Sequence, residues 1–248
     1  MKNIFKFSVA SNLHITIGQY INILGIFLIP VLIMNGTAFH WTMAAIGYVL
    51  WNNFGIFTGY HRIAAHRQIK CPEWFKRFTA LCANMMCLGP AFHWVAQHIA
   101  HHAHTDTEKD PHSPIHKGFW NVVFFLPYLT DDVKYIHARH LITDTFYKWQ
   151  VQYYWLVIIT FALVLLLIDP FALVYFWLVP VGLSRMTLAY LTSVVHMVPG
   201  ATNNYFLGFI SAGEGWHGNH HDNPRSVLYH EKYDWWGMML NKFFNKKS

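Results

Sequence analysis

The chain has 248 residues, of which 54% are hydrophobic, 18% aromatic and only 12% charged. The charged share is about half that of an ordinary soluble domain, so the composition excludes a typical soluble protein and indicates an integral membrane protein. The net charge of +6 comes from scattered basic residues rather than from a dense run, which argues against a nucleic-acid-binding protein. Basic residues beside apolar tracts are typical of the cytoplasmic flanks of membrane helices.

Two long tracts carry almost no charge. Residues 7–61 contain no Asp, Glu, Lys or Arg, and residues 149–213 contain only Asp169 and Arg185. These tracts are where we expect the hydrocarbon core of the bilayer to be crossed. The chain shows no internal repeat and no low-complexity linker, so we expect one integral-membrane domain over residues 1–248.

The ends and the cysteines support this interpretation. Lys2 and Lys6 precede the first apolar tract, and no small-residue cleavage site follows it, which favours a retained helix over a removed signal peptide. The three cysteines, Cys71, Cys82 and Cys87, form no CxxC pair. We therefore expect reduced thiols rather than a disulfide framework or a zinc ribbon.

The first tract predicts a hairpin of two membrane helices. Leu13 to Met34 is long enough to span, with a kink at Pro30, and Asn35-Gly36-Thr37 predicts a turn. Phe39 to Tyr60 returns, and its two asparagines, at positions 52 and 53, are expected inside the bundle. The residues that follow place an excess of positive charge on this side and mark it as cytoplasmic: Arg62, Arg67, Lys70, Lys76 and Arg77.

The middle of the chain is apolar but is not expected to cross. Gly89-Pro90 interrupts Phe78 to Val95, so we predict a re-entrant or interfacial segment there and a second shallow one at Phe119 to Leu129. Val151 to Ile168, a turn at Asp169-Pro170, and Phe171 to about Val195 predict the second hairpin. The expected fold is all-α, with four transmembrane helices in two hairpins. Both termini and a histidine-rich cap are expected on the cytoplasmic side.

Histidines form the strongest pattern in the sequence. His217, His220 and His221 have the same spacing as His98, His101 and His102, and on a helix that spacing gathers the three rings on one face. Chance predicts one such triple only about 0.09 times in a chain of this histidine content. A wider pair, His61 and His66, and the isolated His196 stand at the expected cytoplasmic ends of membrane helices. The pattern predicts one shared metal site.

The ligand supply narrows the type of site. The nine histidines exceed what one ion can bind but suit two ions of five or six positions each, with some positions open. Imidazole binds Fe, Cu, Zn and Ni, so ligand type alone does not name the metal. A carboxylate-bridged di-iron bundle is excluded because the chain has four Glu, of which only Glu214 stands three residues before a histidine. Structural zinc usually takes four ligands per ion, often thiolates. Nine histidines without a suitable set of cysteines therefore argue against a structural zinc site.

From about Trp51 to Pro224 the sequence resembles the membrane-bound fatty acid desaturases, and most closely the acyl-CoA (stearoyl-CoA, delta-9) type. The resemblance rests on HRIAAH at 61–66, HIAHH at 98–102 and HGNHH at 217–221. It implies that two iron ions use dioxygen to insert a double bond into a saturated acyl chain. It also implies the iron ligands, which would be His61, His66, His98, His101, His102, His196, His217, His220 and His221.

The sequence departs from the family pattern at three positions. Ile99 stands where the family usually has Arg, Gly218 where it has Asn, and Thr192 where an Asn holds a metal-bound water. Thr192 is four residues from His196, so it could orient that water instead.

Other side chains are candidates for indirect roles. Acidic residues close to histidines in sequence are candidate outer hydrogen-bond partners of the ligands: Glu214, Asp106, Asp110 and Asp222. Trp94, one turn before His98, could line the acyl tunnel. We expect exposed positions for the loop histidines His104, His112 and His116, and an interfacial face at His137 and His140, beside Lys134 and Arg139.

Substrate and partners are expectations from the resemblance. The acyl group is expected on CoA, and the chain has no haem-binding His-Pro-Gly-Gly loop, so electrons should come from a separate ferredoxin or cytochrome b5. Two alternatives remain. One is a related di-iron hydroxylase or ketolase acting on alkyl chains or carotenoids. The other is a metal transporter or sensor, whose ligands would lie at bilayer depth. Double-bond position, chain length and acyl carrier stay open.

Overall fold

The computed structural model describes residues 7–124 and 135–244, with side chains described from residue 14 and from residue 136 in the two parts. Within these ranges all regular structure is helical and no strand occurs. The α-helices are α1 (Phe7–Phe27), α2 (Ile29–Asn35), α3 (Ala38–Tyr48), α4 (Glu73–Asn84), α5 (Ala91–His104), α6 (Pro114–Lys117), α7 (Phe119–Phe124), α8 (Thr145–Ile168), α9 (Val179–Val195), α10 (Tyr205–Ile210), α11 (His217–Asp222) and α12 (Trp235–Phe244). Two π-helical segments, Val49–Ala65 and Leu173–Leu178, continue α3 and precede α9, and Tyr135–Leu141 forms a 3₁₀-helix.

The helices and the turn of the first predicted hairpin form where the sequence predicts them. The helix breaks at Leu28, between α1 and α2, because Pro30 cannot continue the hydrogen-bond ladder. α2 ends at Asn35 and α3 begins at Ala38, so the turn at residues 35–37 is confirmed. The expected burial of Asn52 and Asn53 is also confirmed.

The π segment Val49–Ala65 positions the first two site histidines. His61 and His66 are five residues apart, which on an α-helix would separate their directions by about 140°. A π-helix has about 4.4 residues per turn and joins residues five apart. Here the His66 amide donates to the His61 carbonyl at 3.0 Å, and the two ring centroids are 4.9 Å apart. The wider helix therefore brings both imidazoles to one side.

The middle of the chain folds as two helices rather than as one span. α4 ends at Asn84 and α5 begins at Ala91, after the interruption at Gly89-Pro90 that the sequence predicts. The second shallow segment is described only as far as Phe124, in α7, and its remainder lies outside the described residues.

Three helices are long and apolar enough to cross a membrane: His14–Asn35, Thr145–Ile168 and Leu173–Val195. The first packs closely on the third, because a side chain at Gly25 would collide with the backbone at Leu178 and Gly182. The expected second span, Phe39 to Tyr60, is less apolar because it contains Asn52, Asn53 and Thr58. These three polar side chains are buried in the protein. The protein is therefore a helical membrane protein with three candidate spans among the described residues, and the expected second span is not one of them.

Candidate metal centre

The structure brings all nine histidines from distant parts of the chain into two adjacent groups. Within each group the candidate ligand atoms lie within 4.8 Å of one another. The larger group is His61, His66, His98, His102 and His220. The smaller group is His101, His196, His217 and His221.

Helix geometry explains how one histidine box serves both groups. The prediction that all three rings of this box gather on one face is wrong for His101. On α5, the Nε2 atoms of His98 and His102 are 3.1 Å apart, whereas His101 lies about 60–100° around the helix from them and belongs to the smaller group. On α11, His217 and His221 share a face in the same way, and His220 is turned toward the larger group. Each HxxHH box therefore supplies a pair to one group and a single imidazole to the other.

The larger group has its Nε2 atoms close together. The Nε2 of His66 is 2.7 Å from that of His98, which is 3.1 Å from that of His102. The Nε2 of His220 is 3.0 Å from those of His102 and His61. Nitrogens about 2.1 Å from one ion are about 3.0 Å apart in an octahedral arrangement and about 3.4 Å apart in a tetrahedral one. These distances fit a six-coordinate ion better than tetrahedral zinc.

The smaller group leaves buried nitrogens without partners. The Nε2 atoms of His101 and His196 have no hydrogen-bond partner among the described residues, although both side chains are 2% exposed or less. A buried polar atom without a partner is costly in free energy. A metal ion would provide that partner, so the donor set fits one here as well.

Three carboxylates hold the opposite nitrogens of the histidine rings. The Nδ1 atoms of His61, His101 and His196 contact Glu214, Asp110 and Asp106 at 2.7, 2.8 and 3.1 Å. An Nδ1–H that donates to a carboxylate turns the Nε2 lone pair toward the metal position. Asp222, the fourth acidic residue that the sequence analysis considered, is exposed.

Burial favours the neutral form of His66 and His221. It lowers the pKa of His66 to about 3 and the pKa of His221 to about 3. Neutral imidazole is the form that binds a metal ion. Burial raises the pKa of Glu214, whereas the Arg62 guanidinium, 3.3 Å away, lowers it and favours the carboxylate form.

A cavity reaches both groups. Its wall includes His61 and His98 from the larger group and His101 and His217 from the smaller one. Trp94 also lines it and stacks on His98 with ring centroids 4.9 Å apart. The apolar part of the wall consists of Ile15, Phe57, Leu88, Leu188 and Leu191. Polar side chains, among them Gln19, Gln97 and Arg185, also line the cavity, so its wall is only partly apolar.

Thr192 lines the same cavity, but its hydroxyl donates to the Leu188 carbonyl of its own helix at 2.9 Å. Its proton is therefore used within α9, and its oxygen can only accept a further hydrogen bond.

The remaining histidines divide differently from the expectation. His116 is exposed, as expected, whereas His104, expected in an exposed loop, is half-buried at the end of α5. His112 is not exposed either: it lines the cavity and stacks on His101 at 4.5 Å, because the loop turns inward where Asp110 binds that ring. His140, expected on an interfacial face, is half-buried and contacts the Ala64 carbonyl at 2.7 Å. Lys134 lies outside the described residues.

Sequence reasoning missed the buried cation Arg62. Its side chain is 0% exposed and lies 4.0 Å from the centre of the Tyr229 ring. It contacts Glu214 at 3.3 Å and Asp234 at 3.4 Å, and donates to the carbonyls of Val227 and Ala212. The only sequence signal was a positive charge next to His61. The excess of basic residues on the cytoplasmic side assigned that charge to the end of a membrane helix.

Fold and site together define a helical membrane protein in which two neighbouring histidine groups could hold metal ions beside a partly apolar cavity. A family model described as fatty acid desaturase matches residues 35–236. The chain belongs to the fatty acid desaturase family. It is an oxidoreductase that desaturates fatty acyl chains.

Individual relatives cover most of the chain. The sn-2 palmitoyl-lipid 9-desaturase of Nostoc sp. (strain 36) is 32% identical over 81% of this chain and 75% of its own length. The sn-1 stearoyl-lipid 9-desaturase of Anabaena variabilis is 27% identical over 82% of this chain and 79% of its own length. The acyl-CoA C20 Delta5-desaturase of Anemone leveillei is 30% identical over 79% of this chain and 66% of its own length.

Proposed function

We propose that the two histidine groups bind two iron ions and that the enzyme uses dioxygen and two electrons to form a double bond in a saturated acyl chain. The carrying observation is the separation of nine imidazoles into neighbouring groups of five and four. Bound irons would supply dioxygen reduction, coupled to removal of one hydrogen from each of two adjacent methylenes, with water as the co-product.

The protein's own side chains orient the ligands and the substrate. Glu214, Asp110 and Asp106 fix the ring directions of three histidines. The cavity wall, with Trp94 and Phe57, would hold the acyl chain beside the two histidine groups. No side chain has to act as acid or base on the substrate. The five-nitrogen group leaves fewer free positions than the four-nitrogen group, so an exchangeable position is expected on the smaller group.

The substrate is an acyl chain attached to a carrier, and the carrier is open between CoA and a membrane lipid. The resemblance to acyl-CoA desaturases favours CoA, whereas two of the relatives described above are named for lipid-linked chains. The electron donor is expected to be a separate ferredoxin or cytochrome b5.

Lipid analysis of cells that express the chain tests this function. We expect new monounsaturated acyl chains, with the double bond located by mass spectrometry, in cells with wild-type protein and not with the His220→Ala variant. Feeding acyl-CoA or labelled lipid to isolated membranes separates the two carriers. Hydroxylated or oxo products in place of alkenes would assign the chain to the hydroxylase or ketolase alternative.

For topology, we propose four spans within a single domain, residues 1–248, with the cap and both termini in the cytoplasm. Contacts between the ends support one domain, because α1 packs on α9 and α12 packs on the π segment Val49–Ala65. Cysteines introduced at Asn35 and Pro170 should react with an impermeant reagent from outside, and those at Lys70 and Glu108 only from inside. Outside labelling of Glu108→Cys would contradict the single cytoplasmic cap.

Thr192 is proposed to accept a hydrogen bond from water at the smaller group. Thr192→Val keeps the shape and removes the oxygen, and should lower turnover by roughly 10- to 100-fold, as is typical for outer-sphere losses at metal sites. Thr192→Asn should retain activity. Wild-type turnover with unchanged iron content in the Val variant would assign Thr192 to its contact with Leu188 alone.

A further inference from the structure

Helix α12 has two apolar faces. Trp236, Gly237 and Leu240 lie on the inner face and are buried. Trp235 and Met238 on its outer face are 41% and 44% exposed, and Phe243, near its C-terminal end, is 67% exposed. A helix on the surface of a water-exposed cap would normally carry polar residues on that face.

Helix α10 extends this apolar surface. Tyr205, Phe206 and Phe209 are 70%, 70% and 72% exposed, and the Trp235 indole donates to the Phe209 carbonyl at 2.9 Å. The two helices are therefore in contact. The exposed side chains form what we call the apolar band: Tyr205, Phe206, Phe209, Trp235, Met238 and Phe243.

The contacts of α12 set the depth of the band. The Trp236 indole donates to the Thr58 hydroxyl at 2.8 Å, and its ring is 5.0 Å from that of Phe54. Thr58 and Phe54 precede His61 by three and seven residues, so they lie within the two helical turns before that histidine. α12 is thus level with the end of an expected membrane span and not with the outer surface of the cap.

We propose that the apolar band lies in the interfacial region of the phospholipid bilayer, in the leaflet next to the metal centre. Ten residues of helix extend about 15 Å, half of the hydrocarbon thickness, so α12 is too short to span the bilayer. Exposed Lys242 follows Trp235 and Met238 on the outer face, where its ammonium can meet anionic headgroups. Aromatic side chains with a lysine at the margin are typical of interfacial helices.

This contact would link the membrane surface to the metal centre. Asp234, directly before α12, accepts from Arg62 at 3.4 Å and from the Tyr229 amide at 2.9 Å. Arg62 is next to His61 in the chain. The depth of the apolar band in the bilayer is therefore coupled, through Asp234 and Arg62, to the position of the larger histidine group relative to the membrane surface.

Spin labelling of the full-length protein in nanodiscs of phosphatidylcholine and phosphatidylglycerol tests the proposal. Nitroxides would be attached at Met238→Cys and, separately, Phe243→Cys, in a Cys71→Ser background, since Cys82 and Cys87 are buried. Leu167→Cys, from an 87% exposed position in a candidate span, is the lipid reference. Glu108→Cys, from an exposed loop position, is the water reference.

Both test labels should collide with oxygen and be shielded from a water-soluble nickel chelate, with an accessibility ratio closer to Leu167→Cys than to Glu108→Cys. Nickel accessibility equal to that of the loop label would overturn the proposal. Protection from both reagents would also overturn it, because another protein or a second copy would then cover the band. Desaturation measured on the same samples is independent: lost activity at an unchanged depth would count against the proposed function and not against the band.

Discussion

Replacing His220 with alanine is expected to abolish desaturation while the protein still inserts in the membrane. The His220 Nε2 lies 3.0 Å from the Nε2 atoms of both His61 and His102, so its loss removes the nitrogen between two other ligands of the larger group. Insertion depends on the apolar helices and not on the cap. Product formation, iron content and the amount of membrane-extracted protein would be measured together.

His104→Ala is the matched control. His104 lies on α5 three residues after His101, but its ring belongs to neither group, so turnover should stay near the wild-type level. Retained desaturation in His220→Ala, or an equal loss in both variants, would contradict the assignment of the larger group.

Replacing Arg62 with methionine is expected to destabilise the cap by about 3–5 kcal/mol, because it leaves Glu214 and Asp234 as buried carboxylates without their cation. Both carboxylates are 2% exposed or less. Loss of iron should accompany the destabilisation, since Glu214 also contacts His61. Thermal unfolding in detergent, followed by size-exclusion chromatography, measures the change.

The control for this variant is Arg77→Met. Arg77 is 55% exposed and lies 3.7 Å from Glu73, and a surface ion pair of this kind contributes about 0–1 kcal/mol. An unfolding midpoint for Arg62→Met that matches the one for Arg77→Met would show that the buried cluster does not hold the first and third histidine boxes together.

Much of the site could be predicted because its signals are local in the sequence. Repeated spacing marked His98, His101 and His102 as equivalent to the third box, and the structure brings these histidines together with His61 and His196. The charge-poor tracts likewise predicted three helices now seen as candidate spans. The turns at residues 35–37 and 169–170 depend on Asn, Gly, Asp and Pro, whose conformational preferences are local.

The rest depends on tertiary contacts that no short window shows. The division into five and four follows from the π-helical turn between His61 and His66 and from how α5 and α11 face each other. Arg62 was assigned to the membrane flank because its partners Glu214 and Asp234 are more than 150 residues away in sequence. His112 was assigned to an exposed loop because its contact with His101 requires that loop to fold inward.

The most direct test of the central claim is the iron content of purified, active enzyme, measured by mass spectrometry together with Mössbauer spectroscopy. Turnover should be proportional to occupancy and reach its maximum at two irons per chain, with zinc displacing iron only at the expense of activity. Fully active protein with one iron per chain would contradict the assignment of two metal positions to the nine histidines.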